Sequence, residues 1–240
     1  MLCGTSSRRF RLMSPPPDRT RAVFEQLVAE IVRHPERRAE LEEQLFTVFS
    51  RRAAILVLDM CGFSRTTRAH GIIAFLVMIH EMQELCRPIA QTHTGSLVKV
   101  EADNLVFLFD HVADAVAAAR AMQSACAEAN LRRPADRSLH ASIGVGFGDT
   151  LYIGEEDVHG DEMNLASKLG EDIAGPGEIL LTEAAFESLS PGLAAAAATS
   201  VSISGLKLNY FRLEPYSERS SAERISALEM VQTPDHHLRR

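Results

Sequence analysis

The chain has 240 residues, 46% of them hydrophobic and 24% charged, with 32 acidic against 25 basic side chains and a formal net charge of -7. That balance suits one large globular core with an accessory segment and excludes a disordered or fibrous chain. With no arginine-rich face in the main core, the acidic surplus also argues against a nucleic-acid backbone as partner.

Residues 1–17 end in "SPPP" and show no apolar period, which predicts a flexible leader. Its arginines precede no apolar stretch of signal-peptide length, and "IIAFLVMI" is too short to cross a bilayer, so a cytoplasmic protein without a membrane span is expected. Cys3, Cys61, Cys86 and Cys126 form no C-x-x-C pair and suit neither a zinc site nor a disulfide framework. From Asp18 as N-cap, Val23, Phe24, Leu27, Val28 and Ile31 lie on one helical face; Pro35 breaks the pattern, and Leu41, Leu45, Val48 and Phe49 resume it. Two amphipathic helices over 18–51 are thus expected before a main domain over 52–215. Residues 216–240 read as a tail that opens with a Ser220–Glu223 capping box.

In the main domain, "AAILVLDMC" reads as a buried strand ended by Gly62. One long helix is expected from about Ser64 to about His93, with Pro88 bending or shortening its last turns. A hairpin, "SLVKVEADNLVFLF", is followed by the helix "HVADAVAAARAMQSACAEAN" capped by Asp110. "SLHASIGVGFGDTLYIG" reads as strand, glycine-rich bend and strand, and "GDEMNLASKLGEDIA" as a helix stopped by "GPG". The strand "EILLT" ends at Thr182, which can cap the short helix "EAAFESL"; an alanine-rich loop at 193–198 leads to a last hairpin, "SVSISGLKLNYFRLE". The order predicts an α+β fold with a ferredoxin-like βαββαβ core and additional α/β elements.

Asp59 ends a strand of otherwise apolar residues, and Asp103 lies at the bend of the hairpin whose strands pair beside it in such a sheet. Two carboxylates meeting at a sheet edge repel, and one takes up a proton unless a hard cation such as Mg²⁺ or Mn²⁺ lies between them. A pair of such ions is a common device for in-line displacement at phosphorus. Gly62 allows a tight turn into a helix whose N-terminal amides, at Gly62, Phe63 and Ser64, suit a phosphate.

Five strings, "ILVLDMCGFS", "VKVEADNLVFLF", "SIGVGFGD", "DVHGDEMNLASKL" and "GEILLT", stand in the order and near the spacing of the class III nucleotidyl cyclase catalytic domains, which the chain resembles over roughly 52–214. The resemblance implies that Asp59, Asp103 and the Met60 carbonyl hold two Mg²⁺ or Mn²⁺ ions, that Lys99 and Asp157 read the purine, that Asn164 orients the ribose and that Lys168 faces the α-phosphate. A lysine donor suits adenine N1, and a carboxylate accepts from the adenine amino group but would face the guanine carbonyl, so ATP is the expected substrate. The implied reaction is attack of the ribose 3'-hydroxyl on the α-phosphorus, giving 3',5'-cyclic AMP and pyrophosphate. Low turnover is expected, because Lys168 stands where the family usually has arginine, Ala102 replaces a common glycine, Ser142 stands where some members have arginine, and Ser204, with Lys207 as a substitute, where many have lysine. The alternatives are a cyclase-fold nucleotide-binding module with little turnover and a guanylate cyclase. The resemblance also implies a head-to-tail homodimer, with metal and base residues from opposite protomers; the helices at 18–50 are open to three readings, a dimer handle, a transducer or plain packing onto the core. Glu101 is expected on the opposite strand face from the metal residues, and His159 as a structural residue.

Overall fold

A computed structural model describes residues 19–154, 156–189, 196–203 and 206–214. The leader at 1–17, Asp18, Ser204, the Ser220–Glu223 capping box and the tail at 216–240 lie outside the described residues, as do the side chains of Phe63, Ser64 and Lys207.

Two helices, α1 (Arg21–Arg33) and α2 (Arg38–Phe49), precede strand β1 (Ser50–Met60), helices α3 (Phe63–His70) and α4 (Ile72–Thr92), and strands β2 (Ser96–Glu101) and β3 (Asn104–Phe109). Helix α5 (Val112–Asn130), strands β4 (Ala141–Ile153) and β5 (Asp157–His159), and helix α6 (Asp161–Lys168) follow, then β6 (Ile179–Thr182), α7 (Glu183–Glu187), β7 (Ala196–Ile203) and β8 (Leu206–Leu213). The main sheet runs β2-β3-β1-β4-β6-β8-β7, with β5 paired to β4. Its first four strands have the ferredoxin-like order, and β6 extends the sheet parallel to β4.

The two sheet faces are covered unequally. Even-numbered residues of β1 (Ala54, Leu56, Leu58, Met60) join Phe107, Phe109, Met82 and Met122 in the larger core under α4 and α5. Leu56, Leu58, Phe107 and Met82 are fully buried, and such side chains each stabilise by about 1.5–3 kcal/mol through lost apolar surface. The odd-numbered residues Ala53, Ile55 and Val57 point the other way, to a smaller cluster with Val98, Val106, Leu108, Val158 and Ala166. The N-terminal helices pack Leu27, Leu41, Leu45 and Phe49 against Ile153 of β4. No helix among the described residues is long and apolar enough to cross a membrane, and Cys61, Cys86 and Cys126 are free thiols.

Several local expectations are corrected. The single long helix is two, broken at Gly71, whose φ of +80° is left-handed and ends α3. Pro88 stands inside α4, which continues to Thr92. Asp110 does not cap α5; it pairs with Arg51 at 2.8 Å, and His111 takes the cap position. The expected glycine bend is instead continuous strand β4. Gly144 and Gly146 are there for close packing: a Cβ at Gly144 would lie 2.0 Å from the Ala166 carbonyl, and one at Gly146 2.6 Å from that of Glu162. Alternate glycines therefore let α6 lie directly on the strand, a clearance requirement that resembles a turn signal in sequence. Residues 196–198 of the expected alanine-rich loop belong to β7. Thr182 does cap α7, its Oγ1 accepting from the Ala185 amide at 3.2 Å.

Candidate active site

The less covered sheet face carries the polar residues singled out above. Asp59 continues the odd-numbered series of β1 and pairs in register with Asn104 of β3 and Ser142 of β4. Glu101 pairs with Asn104, so Ala102 and Asp103 alone make the hairpin turn, which sets Asp103 next to the cross-strand partner of Asp59. Burial, then the negative charges of Asp103 and Glu171, push the Asp59 carboxyl up to about 6, against a weak 3.4 Å hydrogen bond from Ser142 Oγ. The two aspartates therefore sense each other electrostatically.

The turn is strained: Ala102 has φ +51°, a left-handed conformation that favours glycine. Glu171 was not singled out in the sequence. It lies in a π-helical turn, Leu169–Ile173, that extends α6, and its carboxyl is raised by burial and then by Asp172, with Asp103 adding to the repulsion and hydrogen bonds from Ser167 and Asn104 opposing it. Nothing in its linear spacing from Asp59 or Asp103 marks it; only the packing of that turn on β1 and β4 brings it there.

The carboxylates here are hard oxygen donors, which fit Mg²⁺ or Mn²⁺ better than a thiophilic ion, and burial raises the pKa of the nearby Cys61 thiol, which disfavours its thiolate form. The crowding of carboxylates is a charge imbalance that such a cation would relieve, and the buried Asn104 Oδ1 has no hydrogen-bond partner among the described residues. Among the described residues no group of three or more His, Cys, Asp or Glu side chains is arranged to hold a metal alone, so carbonyl or ligand oxygens would have to complete any coordination shell. Gly62, with φ +102°, stands immediately before the first residue of α3, Phe63, followed by Ser64.

Lys99 and Asp157, 58 residues apart in sequence, form an ion pair at 3.2 Å. A β-bulge makes this possible. The β2–β3 register shifts between Leu97 and Lys99, so Val98 joins the smaller core while Lys99 pairs with Val106 on that same face. On the other side β5 folds back from β4, pairing Ile153 with Asp157, and buries Val158 in that cluster. Asp157 is only 11% exposed at its side chain. Burial raises its carboxyl, but the hydrogen bonds from Lys99 and from the Val158 amide, with the nearby charges of His159 and Lys99, outweigh this and hold it below the usual range. Glu101 shares the face of Lys99, not the opposite one, and binds its ammonium at 2.8 Å. His159 stacks on Phe24 of α1, with ring centroids 6.1 Å apart.

Asn164 is exposed on α6, one turn from Lys168. Lys168 Nζ is held at 3.1 Å by Asp172, one turn further on. Ser142, which stands where some members have arginine, is buried on β4 against Asp59 and Cys61. The structure thus sets Asp103 near Asp59 and pairs Lys99 with Asp157, while Asn164 and Lys168 lie on α6.

No family model matches the chain. It is 31% identical over 137 residues to the Rhizobium meliloti protein named "Putative adenylate cyclase 3"; the match takes in 57% of this chain, which spans only 23% of that relative's length. Among solved structures, the guanylyl cyclase Cya2 has a TM-score of 0.61 at 21% identity, covering 70% of this chain and 94% of that one. An adenylate/guanylate cyclase/hydrolase from Silicibacter pomeroyi has a TM-score of 0.59 at 23% identity, over 70% and 98% of the two chains. The adenylyl cyclase CyaB from P. aeruginosa has a TM-score of 0.56 at 16% identity, over 70% and 97%. The five sequence strings and these likenesses agree: this chain has the fold of the adenylate and guanylate cyclase catalytic domains.

Proposed function

We propose that the chain is an adenylate cyclase that converts ATP to 3',5'-cyclic AMP and pyrophosphate in a homodimer. The observation that carries the choice of ATP is the Lys99–Asp157 pair at 3.2 Å. It sets a donor for a purine N1 beside an acceptor for an exocyclic amino group, the pattern of adenine and not of guanine. The name of the Rhizobium meliloti relative points the same way.

Asp59 and Asp103, with the Met60 carbonyl, would hold two Mg²⁺ or Mn²⁺ ions. When bound, such ions lower the pKa of the ribose 3'-hydroxyl and neutralise phosphate charge. The backbone from Gly62 to Ser64 directs the amide end of α3 at the triphosphate. Asn164 holds the ribose, and Lys168, released from Asp172, supplies positive charge to the α-phosphate. No covalent intermediate is needed, because orientation and fixed charge lower the barrier. Since the two pairs lie on one chain, a two-fold dimer that closes their shared face would complete two equivalent sites.

A nucleotide-binding module with little turnover is the second reading, favoured by the salt bridge that occupies Lys168. The test is a product assay on purified protein with Mn²⁺-ATP and, in parallel, Mn²⁺-GTP. Cyclic AMP that disappears in Asp59→Ala and in Asp103→Ala supports the cyclase; ATP binding without product supports the module, and cyclic GTP as the main product reverses the base assignment.

A further inference from the structure

The base-reading carboxylate is gripped by a residue far outside the sequence strings that mark the catalytic fold. Asp157 Oδ1 accepts from the Val158 amide at 2.9 Å and faces Lys99 Nζ at 3.2 Å. Its Oδ2 accepts from Arg21 Nη2 at 3.4 Å, with His159 Nε2 at 3.6 Å. Arg21 is the first residue of α1, and its Nε also binds Glu156 at 3.0 Å, so one guanidinium spans Glu156 of the β4–β5 connection and Asp157 at the start of β5.

Two further contacts show that this end of α1 is seated on that connection. Phe24, one turn on, lies between the His159 ring and the edge of Phe49. Gly154 opens the turn at φ +47°, and a Cβ there would come 2.9 Å from the Arg19 carbonyl, so backbone meets backbone just before the helix begins. A guanidinium shared by two carboxylates is held more firmly than one in a single exposed ion pair.

We propose that Arg21 is a positioning residue of the base-reading site, through which docking of α1 sets the affinity and base preference of the catalytic domain; this rests on the reading of Asp157 and Lys99 given above. The physical reason is competition within the pair. Without Arg21 on Oδ2, the carboxylate turns both oxygens toward Lys99, and donor and acceptor satisfy each other in place of the purine. With Arg21 holding Oδ2, Lys99 meets one Asp157 oxygen besides Glu101, and the third of its donors is left for the ring nitrogen.

The test uses the full chain and 3'-deoxy-ATP and 3'-deoxy-GTP, which lack the attacking hydroxyl and so read binding without turnover. Arg21→Met keeps the apolar stem and removes the guanidinium. Calorimetry with Mg²⁺ should show 3'-deoxy-ATP bound about fivefold more weakly, the scale of one lost ion pair, and a narrowed preference over 3'-deoxy-GTP. The kcat for ATP should stay within about twofold while KM rises, Arg21→Lys should recover part of the affinity, and Arg21→Met should add nothing in an Asp157→Ala background. Unchanged or tighter binding by Arg21→Met, where Asp157→Ala binds weakly, overturns the role of Arg21 alone. Full affinity in Asp157→Ala overturns the base reading itself, and the proposal with it.

Discussion

Asp59 is expected to cost the protein stability when no cation is present. Its carboxyl is pushed from an ordinary 3.8 to about 6 by burial and by Asp103 and Glu171. A folded-state pKa above the unfolded one means that the native chain holds the proton more tightly. The cost is therefore absent below about pH 4, grows through the interval to pH 6, and is complete above it. At about 1.4 kcal/mol per pH unit, that interval gives an upper bound of about 3 kcal/mol; because the group is only half-buried, solvent screening reduces it to about 1–2 kcal/mol. Asp59→Asn removes the charge, keeps the shape, and leaves Ser142 a partner. Urea denaturation in EDTA should find the variant more stable than wild type by about 1–2 kcal/mol at pH 7.5, with no difference at pH 4. With Mn²⁺ and nucleotide added, the order should reverse, because only the native carboxylate gains from the cation. A variant less stable than wild type in EDTA at pH 7.5, or a difference independent of pH, would refute the reasoning.

Other expectations are of the same kind. Ala102→Gly relieves the left-handed turn residue, a cost of about 1–2 kcal/mol, against about 0.5–1 kcal/mol of added chain entropy, so a net gain of roughly 0.5–1 kcal/mol should appear as a higher Tm. Thr182→Ala removes both the α7 cap and the 2.6 Å bond to Glu162, whose carboxylate also receives the Phe147 amide; about 2 kcal/mol of lost stability should be measured by urea denaturation. Lys168→Arg supplies a planar fork in place of a point charge, and kcat for cyclic AMP formation should rise severalfold with KM for ATP little changed.

The fold class was legible in the sequence because its main signals are local. Apolar runs at β1, β3 and β6, the helical periods of α1, α2 and α5, and the threonine that ends β6 each depend on neighbours within a few residues. The failures share a cause as well. The glycines of β4 read as a bend, although their reason lies across the sheet in the α6 backbone, and Gly71, a lone glycine with no proline or turn cluster beside it, divides the expected helix. Asp110 has the chemistry of a cap, but Arg51 of a neighbouring strand binds it instead.

By itself the sequence determined which groups are available: two aspartates in strand-end and turn positions, a lysine four residues before the second, and a further aspartate ahead of a helix. Only the tertiary structure decided how they meet. One bulged residue in β2 turns Lys99 onto the face where β5 lays Asp157, the pleat sends Asp59 to that face, and the hairpin register brings Asp103 beside it. Glu171 and Arg21 join these groups from positions 112 residues after Asp59 and 136 before Asp157, respectively. Side-chain chemistry is a property of the residue, but electrostatic coupling falls with distance through space, and distances between remote segments are fixed only when the chain packs.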